Sequence, residues 1–350
     1  GSTASINGLT PQASNMQPFN RIINGAMTVD QRNAGAAVST PANYALDRWK
    51  LRYSAGTCTV QRSTTSPAGF NNSFQLTVGT ARTVVSGDRF GIEQPIEGFN
   101  SADFGWGTAN AQPVTLSFWV RSSLTGTFGL CFTNFSRGYA ATYIISAANT
   151  WEYKTVTIVG DTSGTWDTTS GTGVLVVFDI GMGSDVRTTT GSWQAGTFLG
   201  ATGATDLVST SGATFYITGV QLEAGSSGSS FAHENYSDTL QKCQRYYYKE
   251  PSPFTHVALL DGSGNYPTAF VTHPVEMRAT PATVFESLSS FYYNSGSAQI
   301  NFIPAGGTTA YSGNARLGKS QKSAISNSAG ATQAQKCGQW EVQLSFSAEL

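Results

Sequence analysis

Charge is scarce in this chain. Asp, Glu, Lys and Arg make up only 12% of its 350 residues, about half the usual quarter. The 20 basic and 21 acidic side chains nearly cancel, leaving a formal net charge of −1. No Lys/Arg cluster offers the cations that a phosphate backbone demands, which argues against a nucleic-acid partner. No apolar run reaches the ~18 residues of a membrane-spanning helix. Cysteine is sparse and scattered: Cys58, Cys131, Cys243 and Cys337 show no C-x-x-C spacing. Neither a zinc site nor a disulfide framework is expected, and free thiols are the default. His233, His256 and His273 lack an H-x-x-x-H spacing, which excludes a helical histidine metal site. Nucleophile-elbow, Walker and Rossmann glycine patterns are all missing. The opening Gly1-Ser2 reads as a cloning remnant with no basic-then-apolar leader after it.

Helix signals are nearly absent as well. The one candidate is Ser237 to Tyr247, with Ser237 as cap and Leu240, Cys243 and Tyr247 at i, i+3 and i+7. No crossover helix separates the strand-like runs, so a doubly wound nucleotide fold is excluded. No short repeat supports a β-helix or propeller.

What the chain has is glycine, aromatics and alternation. It carries 38 Gly, 12% aromatic and 39% hydrophobic residues, enough apolar mass to exclude disorder. Val114 to Arg121 places Val114, Leu116, Phe118 and Val120 on one face and Thr115, Ser117, Trp119 and Arg121 on the other. Tyr153 to Val159 alternates in the same way. Val174 to Ile180 is continuously apolar, as a strand covered on both sides should be. Phe215 to Leu222 closes the series, with Gly219 where a bulge resets the phase. Short strands with turn signals between them predict an all-β fold: a jelly-roll β-sandwich followed by a small terminal β domain. The boundary falls after Ala224 to Ser230, a flexible stretch of linker composition. Residues 1–18 are expected to be a stalk end or frayed head, 19–235 the jelly roll, and 236–350 the terminal domain. Within the last, strands are expected near Ala269–Met277, Ala282–Glu286, Ser290–Tyr293, Gln299–Ile303 and Trp340–Ser347.

Four stretches carry a resemblance. They are Phe19 to Asn33 with Tyr44-Ala45-Leu46-Asp47-Arg48-Trp49; Val114 to Arg121 with Thr150-Trp151-Glu152; Tyr216 to Gly225; and Leu240 to Tyr247 with Pro274 to Pro281. Together they resemble the C-terminal portions of bacteriophage and prophage tail-fibre proteins and related bacterial adhesive fibres. The resemblance runs from about residue 19 to the C-terminus. It implies a carbohydrate-binding-module-like jelly roll, with the early strand around Asn24-Gly25 and the late Val-Gln-Leu-Glu strand as its first and last strands, and then a terminal β domain. It also implies a homotrimer at a fibre tip, on a virion tail or a bacterial surface, that touches a host surface without inserting into a membrane; a cell-surface glycan is the expected ligand class. No ligand-contacting motif comes with these framework stretches.

Candidate chemistry is therefore read residue by residue. Sugar binding needs flat rings flanked by short polar side chains. Trp106, Trp166 and Trp193 sit in Gly-rich loops and are one candidate surface; loop packing at the sandwich end is the alternative for each. Tyr292, Tyr293 and Tyr311 of the terminal region are the other. Trp49, Trp119 and Trp151 fall on framework strands and are assigned to the core. The Tyr246–Tyr248 run is expected between subunits, where tyrosine is enriched. Carbohydrate modules of this architecture often hold a structural calcium, for which Asp30, Asp47 and Glu223 are the candidate ligands. Asp161 with Asp167, or Asp103 with Glu97, are conceivable carboxylate pairs for glycoside hydrolysis. Without a motif that carries a mechanism, the chain is read as non-catalytic, with no cofactor.

Overall fold

A computed structural model describes residues 20–39, 44–250, 254–260, 267–294, 299–302, 322–326 and 338–350. The strands run β1 (Val38–Ser39), β2 (Tyr44–Leu46), β3 (Trp49–Tyr53), β4 (Cys58–Ser63) and β5 (Ser73–Val78). There follow β6 (Phe90–Glu97), β7 (Val114–Ser122), β8 (Gly126–Thr133), β9 (Arg137–Ile145) and β10 (Glu152–Ile158). Then come β11 (Thr172–Asp179), β12 (Arg187–Thr188), β13 (Trp193–Ala195), β14 (Gly200–Ala201) and β15 (Thr214–Ala224).

They form two antiparallel sheets. The front sheet has the order β1-β4-β5-β15-β7-β10, and the back sheet β13-β9-β8-β11-β6-β3-β2. The chain passes repeatedly between them: β6 lies at the back, β7 at the front, β8 and β9 at the back, β10 at the front. This is a jelly-roll sandwich, as the alternation predicted. Its core is the set of inward side chains. Val114, Leu116, Phe118 and Val120 of β7 face Val174, Val176 and Phe178 of β11, all essentially inaccessible. Phe118 meets Phe178 edge-on at 5.1 Å, joining the two sheets. Trp49 is fully buried in this core.

The expected first strand is not one. Residues 20–33 form turns that feed the sandwich edge. Gly219 takes φ +59°, and the β15–β7 register shifts between Thr218 and Gln221. That bulge frees β15 backbone groups, and the turns satisfy them: Val220 N donates to Gly25 O at 3.0 Å and Arg21 N to Leu222 O at 3.0 Å. Asn20 locks the junction, accepting from Leu222 N and donating to Val220 O.

The stretch read as a flexible linker is instead a fixed cover on the front sheet. Ser229 donates from N and Oγ to the Glu223 carboxylate, and Gln221 Nε2 donates to Ser230 O at 3.2 Å. The helix α1 (Tyr236–Gln244) follows. It starts one residue before the expected cap, with Asn235 rather than Ser237 in the N-cap position.

A third sheet is built from β16 (Tyr247–Lys249), β17 (Phe254–Leu260), β18 (Pro267–Thr272), β19 (Ala282–Asn294), β20 (Gln299–Phe302), β21 (Lys322–Ser326) and β22 (Gly338–Ser347). Its order is β20-β19-β22-β17-β18-β21, with β16 beside β22. Two separately expected strands are the single β19, broken in register after Phe285 and Leu288.

The C-terminal residues dock on the sandwich. Glu349 is shared by Arg32 and Arg48. Arg48 lies 3.7 Å over the Tyr246 ring and Arg32 3.6 Å over Tyr247. Tyr246 and Tyr247 are thus buried within one chain, which corrects their assignment to a subunit interface. Cys58, Cys131 and Cys243 are buried, the last two as free thiols; Cys337 lies outside the described residues.

Candidate functional site

The two sheets treat their outer faces differently. Behind the back sheet, Met182, Val186 and Leu199 pack on Cys131, Leu175 and Val177. Asp179 anchors this cover, accepting from Gly181 N, Met182 N and the guanidinium of Arg187. Glu97 takes Arg245 and the Tyr246 hydroxyl. Burial works against its ionisation, but those two partners hold its carboxyl below the usual range.

The front sheet keeps an open outer face. Residues 225–230 cross only one end of it, where Thr115 Oγ1 donates to Gly225 O at 2.9 Å. Beyond that crossing the outward positions are aromatic and amide. Trp119 of β7 pairs with Tyr153 of β10 on one side and Thr218 of β15 on the other. The Trp119 and Tyr153 rings lie 5.4 Å apart, and Tyr153 is 44% exposed. Arg121 pairs with Tyr216 and lies 5.1 Å over its ring; its Nε donates to Asn149 O. Trp151 meets the same tyrosine edge-on at 6.1 Å. The row continues through Gln75, opposite Tyr216, to Gln61, opposite Gln75. From β4 to β10 this crosses four inter-strand intervals of about 4.8 Å each, roughly 19 Å in all. Buried Thr218 Oγ1 has no hydrogen-bond partner.

Such a surface can stack the apolar side of a sugar ring on Trp119 or Tyr153 and take its hydroxyls on Gln75, Gln61 and Arg121; Tyr216, only 8% exposed under Arg121 and Trp151, supports the row from beneath. Trp119 and Trp151 are therefore only half-buried and are not core residues. The signal was present: the β7 alternation already set Trp119 and Arg121 opposite the core face.

The three loop tryptophans do come together, but on each other. Trp106 meets Trp166 at 4.8 Å and Trp193 at 5.0 Å, and Trp166 meets Trp193 at 5.3 Å, all edge-to-face. Each indole N–H is spent on a loop carbonyl: Gln112 O, Ser163 O and Val159 O respectively. Trp106 and Trp166 are 6% and 9% exposed; Trp193 alone is half-buried. The trio closes one end of the sandwich. Tyr292 and Tyr293 lie on β19, but their side chains are outside the described set, as is all of Tyr311.

The calcium candidates do not fit a cation. Asp30 accepts from Asn33 N and Gly35 N. Asp47 accepts from Gln31 N and Gln31 Nε2, and burial pushes its carboxyl up to about 6. Glu223 holds Ser229 and Gln221. Among the described residues no three His, Cys, Asp or Glu side chains converge as a metal site requires. The conceivable hydrolytic pairs are engaged too. Asp161 pairs with Arg137, Asp103 with Arg21 and Glu97 with Arg245, while Asp167 accepts from Thr169 N.

No family model matches the chain, and no curated protein matches it. Solved structures do. A candidate sugar-binding protein from Bacteroides thetaiotaomicron is similar at 13% identity and TM-score 0.36, over 59% of this chain and 100% of that one. The enzymatically active domain of tailspike protein 4 from bacteriophage CBA120 is similar at 14% identity and TM-score 0.30, over 59% of this chain and 21% of that one. A family 11 carbohydrate-binding module from Clostridium thermocellum, bound to a mixed-linked tetrasaccharide, is similar at 12% identity and TM-score 0.28, over 56% of this chain and 100% of that one. These likenesses are weak, and the sandwich assignment rests on the sheet order and registers themselves. Among the described residues no helix is long and apolar enough to cross a membrane.

Proposed function

We propose that the chain is a non-catalytic glycan-recognition module near the tip of a phage or phage-derived adhesive fibre, working as a homotrimer against a cell-surface polysaccharide. The observation that carries the glycan reading is the open front face, where the accessible rings Trp119 and Tyr153 stand in register with the row of Arg121, Gln75 and Gln61. The fibre setting and the trimer rest on the sequence resemblance. The division into a stalk end (1–18), a jelly roll (19–235) and a tip domain (236–350) belongs to the same proposal. The non-catalytic reading is supported by carboxylates already committed to arginines and backbone amides.

The test is a glycan array probed with the whole chain, followed by titration of the best binder with wild type, Trp119→Ala and Tyr153→Ala. Binding that weakens in both variants at an unchanged melting temperature supports the front face. An array with no binder at all leaves a purely structural fibre component as the reading, and release of new reducing ends would make the chain a depolymerase. Light scattering at micromolar concentration should report three times 37.0 kDa; a concentration-independent monomer refutes the trimer.

A further inference from the structure

The Asn20–Asn33 and Tyr216–Gly225 stretches meet in a place the front face does not use. Where the turns fill the bulge of β15, they leave a cavity of about 360 Å³ between residues 20–28, the 69–72 loop and residues 231–239. Its floor is built of small residues. A side chain at Gly25 would collide with Val220 O, and one at Gly219 with the Phe70 ring. Phe70 therefore lies directly over the bulge.

One wall is aromatic. Phe70, Phe231 and His233 form a ring trio with centroids 4.9–5.2 Å apart. Tyr236, the first residue of α1, lines the cavity and is 58% exposed. The loop side is amide: Asn71 and Asn72 line the cavity, and their side chains make no hydrogen bond to the described residues. Polar groups left unpaired beside exposed rings are the pattern of a site that takes a ligand with both hydroxyls and an apolar face. No arginine or lysine is among the described residues that line it, and its one carboxylate, Glu234, is already paired with Lys242. Among the described lining residues no permanent cation is left to neutralise an acidic ligand, His233 being the one side chain that could gain a positive charge. The volume sits at the low end of the ~300–1,000 Å³ typical of small-molecule sites, which fits one sugar residue rather than a chain.

We propose that this cavity is a second binding site, separate from the front face, that takes a single neutral pyranose, with ring stacking on the aromatic wall and hydroxyls bonded to Asn71 and Asn72. The test is saturation-transfer NMR on the whole chain with a panel of neutral monosaccharides and uronic acids. Wild type, Asn72→Ala, Tyr236→Ala and Trp119→Ala are compared. Asn72 and Tyr236 are not buried, so their variants should fold; circular dichroism checks this. The expected result is a neutral sugar bound with a dissociation constant on the order of 1 mM, weakened about tenfold or more in Asn72→Ala and Tyr236→Ala, and unchanged in Trp119→Ala. No signal from any neutral sugar, a preference for uronic acids, or unchanged binding in both rim variants overturns the site. Loss in Trp119→Ala alone would overturn it while supporting the front face. Monosaccharide binding that persists when the glycan array is blank would support the cavity and sink the front-face reading.

Discussion

The two sheets of the sandwich face water in opposite ways. The middle of the back sheet is covered by the 182–208 excursion and by the C-terminal residues. The outward positions of β11 and its neighbours are therefore largely apolar or are charges such as Asp179 and Glu97 sealed in ion pairs, while the far end of β9 stays exposed at Ile144. The outward positions of the front sheet are largely Thr, Gln, Tyr, Trp and Arg; residues 225–232 and Phe70 cover one end of them, and the row from Tyr153 and Trp119 to Gln75 and Gln61 stays more open. A sheet sealed on both sides has stability to lose when an outward residue is cut. A sheet open on one side can lose a ligand contact and stay folded. The same kind of substitution should therefore read out differently on the two faces.

The sharpest break in that comparison is Asp179→Ala. Asp179 is fully buried and accepts from three backbone amides, those of Gly181, Met182 and Ala201, and from Arg187, which is itself mostly buried. Its removal leaves Arg187 only the more exposed Asp206 as a partner and strips the buried amides of their acceptor, so the cost should approach the ~3–5 kcal/mol of breaking a buried pair. Denaturant unfolding should show that loss, while the fraction still folded should bind glycan as wild type does. A variant within about 1 kcal/mol of wild type would mean that the cover is not held by this pair.

The covered side should also show a pH signature. Asp47 is buried at the β2–β3 turn, with Arg32, Arg48, Glu349 and Cys243 near it, and its carboxyl rises from 3.8 to about 6. A carboxyl raised on folding binds its proton more tightly in the folded state. Its contribution is therefore full below the unfolded value and is lost as pH rises through the folded one. Relative to Asp47→Asn, wild type should lose up to roughly 3 kcal/mol between about pH 4 and pH 6.5. Glu97 works in the opposite direction, but it is present in both proteins and cancels. A flat difference across that window would show that Asp47 is charged at little cost.

Much of the front-back contrast was legible in the sequence. The unbroken Val174–Ile180 run announced a strand covered on both faces, and β11 is one. The β7 alternation sets Trp119 on the wet face; its place on a framework strand points to the core only if the phase of that alternation is ignored. Trp106, Trp166 and Trp193 posed the reverse problem. Glycine-rich loops suggested display, and only tertiary contact, with three indoles capping one another, shows them as packing. The Ala224–Ser230 composition reads as a linker because Ser and Gly carry no signal of what they bond to. Its partners Gln221 and Glu223 lie on the preceding strand, and their claim on it is a three-dimensional fact. Residues 20–33 look strand-like but serve a bulge in β15, some 200 residues away.

On the open side the largest effect should be Trp119→Ala. A stacking ring that contributes affinity costs on the order of 1–3 kcal/mol on removal, about 5- to 150-fold in dissociation constant. Trp119 is half-buried against Tyr153 and Thr218 rather than in the core, so the melting temperature should barely move. Trp106→Ala supplies the contrast. Deleting a buried indole from the end cluster should cost about 3–5 kcal/mol of stability and leave binding by the folded protein intact. If Trp106→Ala weakens binding and Trp119→Ala does not, the ligand sits at the loop end instead.

The smallest effect is the most local test of where the glycan lies. Gln75 pairs in register with Tyr216, and its Oε1 accepts from Gln61 Nε2 at 2.9 Å on the open face. Gln194 stands at the loop end beside Trp193 and donates to Ser192 Oγ at 3.0 Å. Both are half-buried glutamines with side-chain partners only, so neither should matter to folding. One neutral hydrogen bond is worth about 0.5–1.5 kcal/mol net. Gln75→Ala should therefore weaken glycan binding about 2- to 12-fold, and Gln194→Ala should change nothing. Surface truncations of this kind usually leave stability within about 0.5 kcal/mol, so a change in binding can be read without correction for unfolding. Equal, wild-type binding in both would place the sugar elsewhere on the front face, nearer Trp119 and Tyr153. Loss in Gln194→Ala alone would move it to the tryptophan cluster and reverse the assignment of the two surfaces.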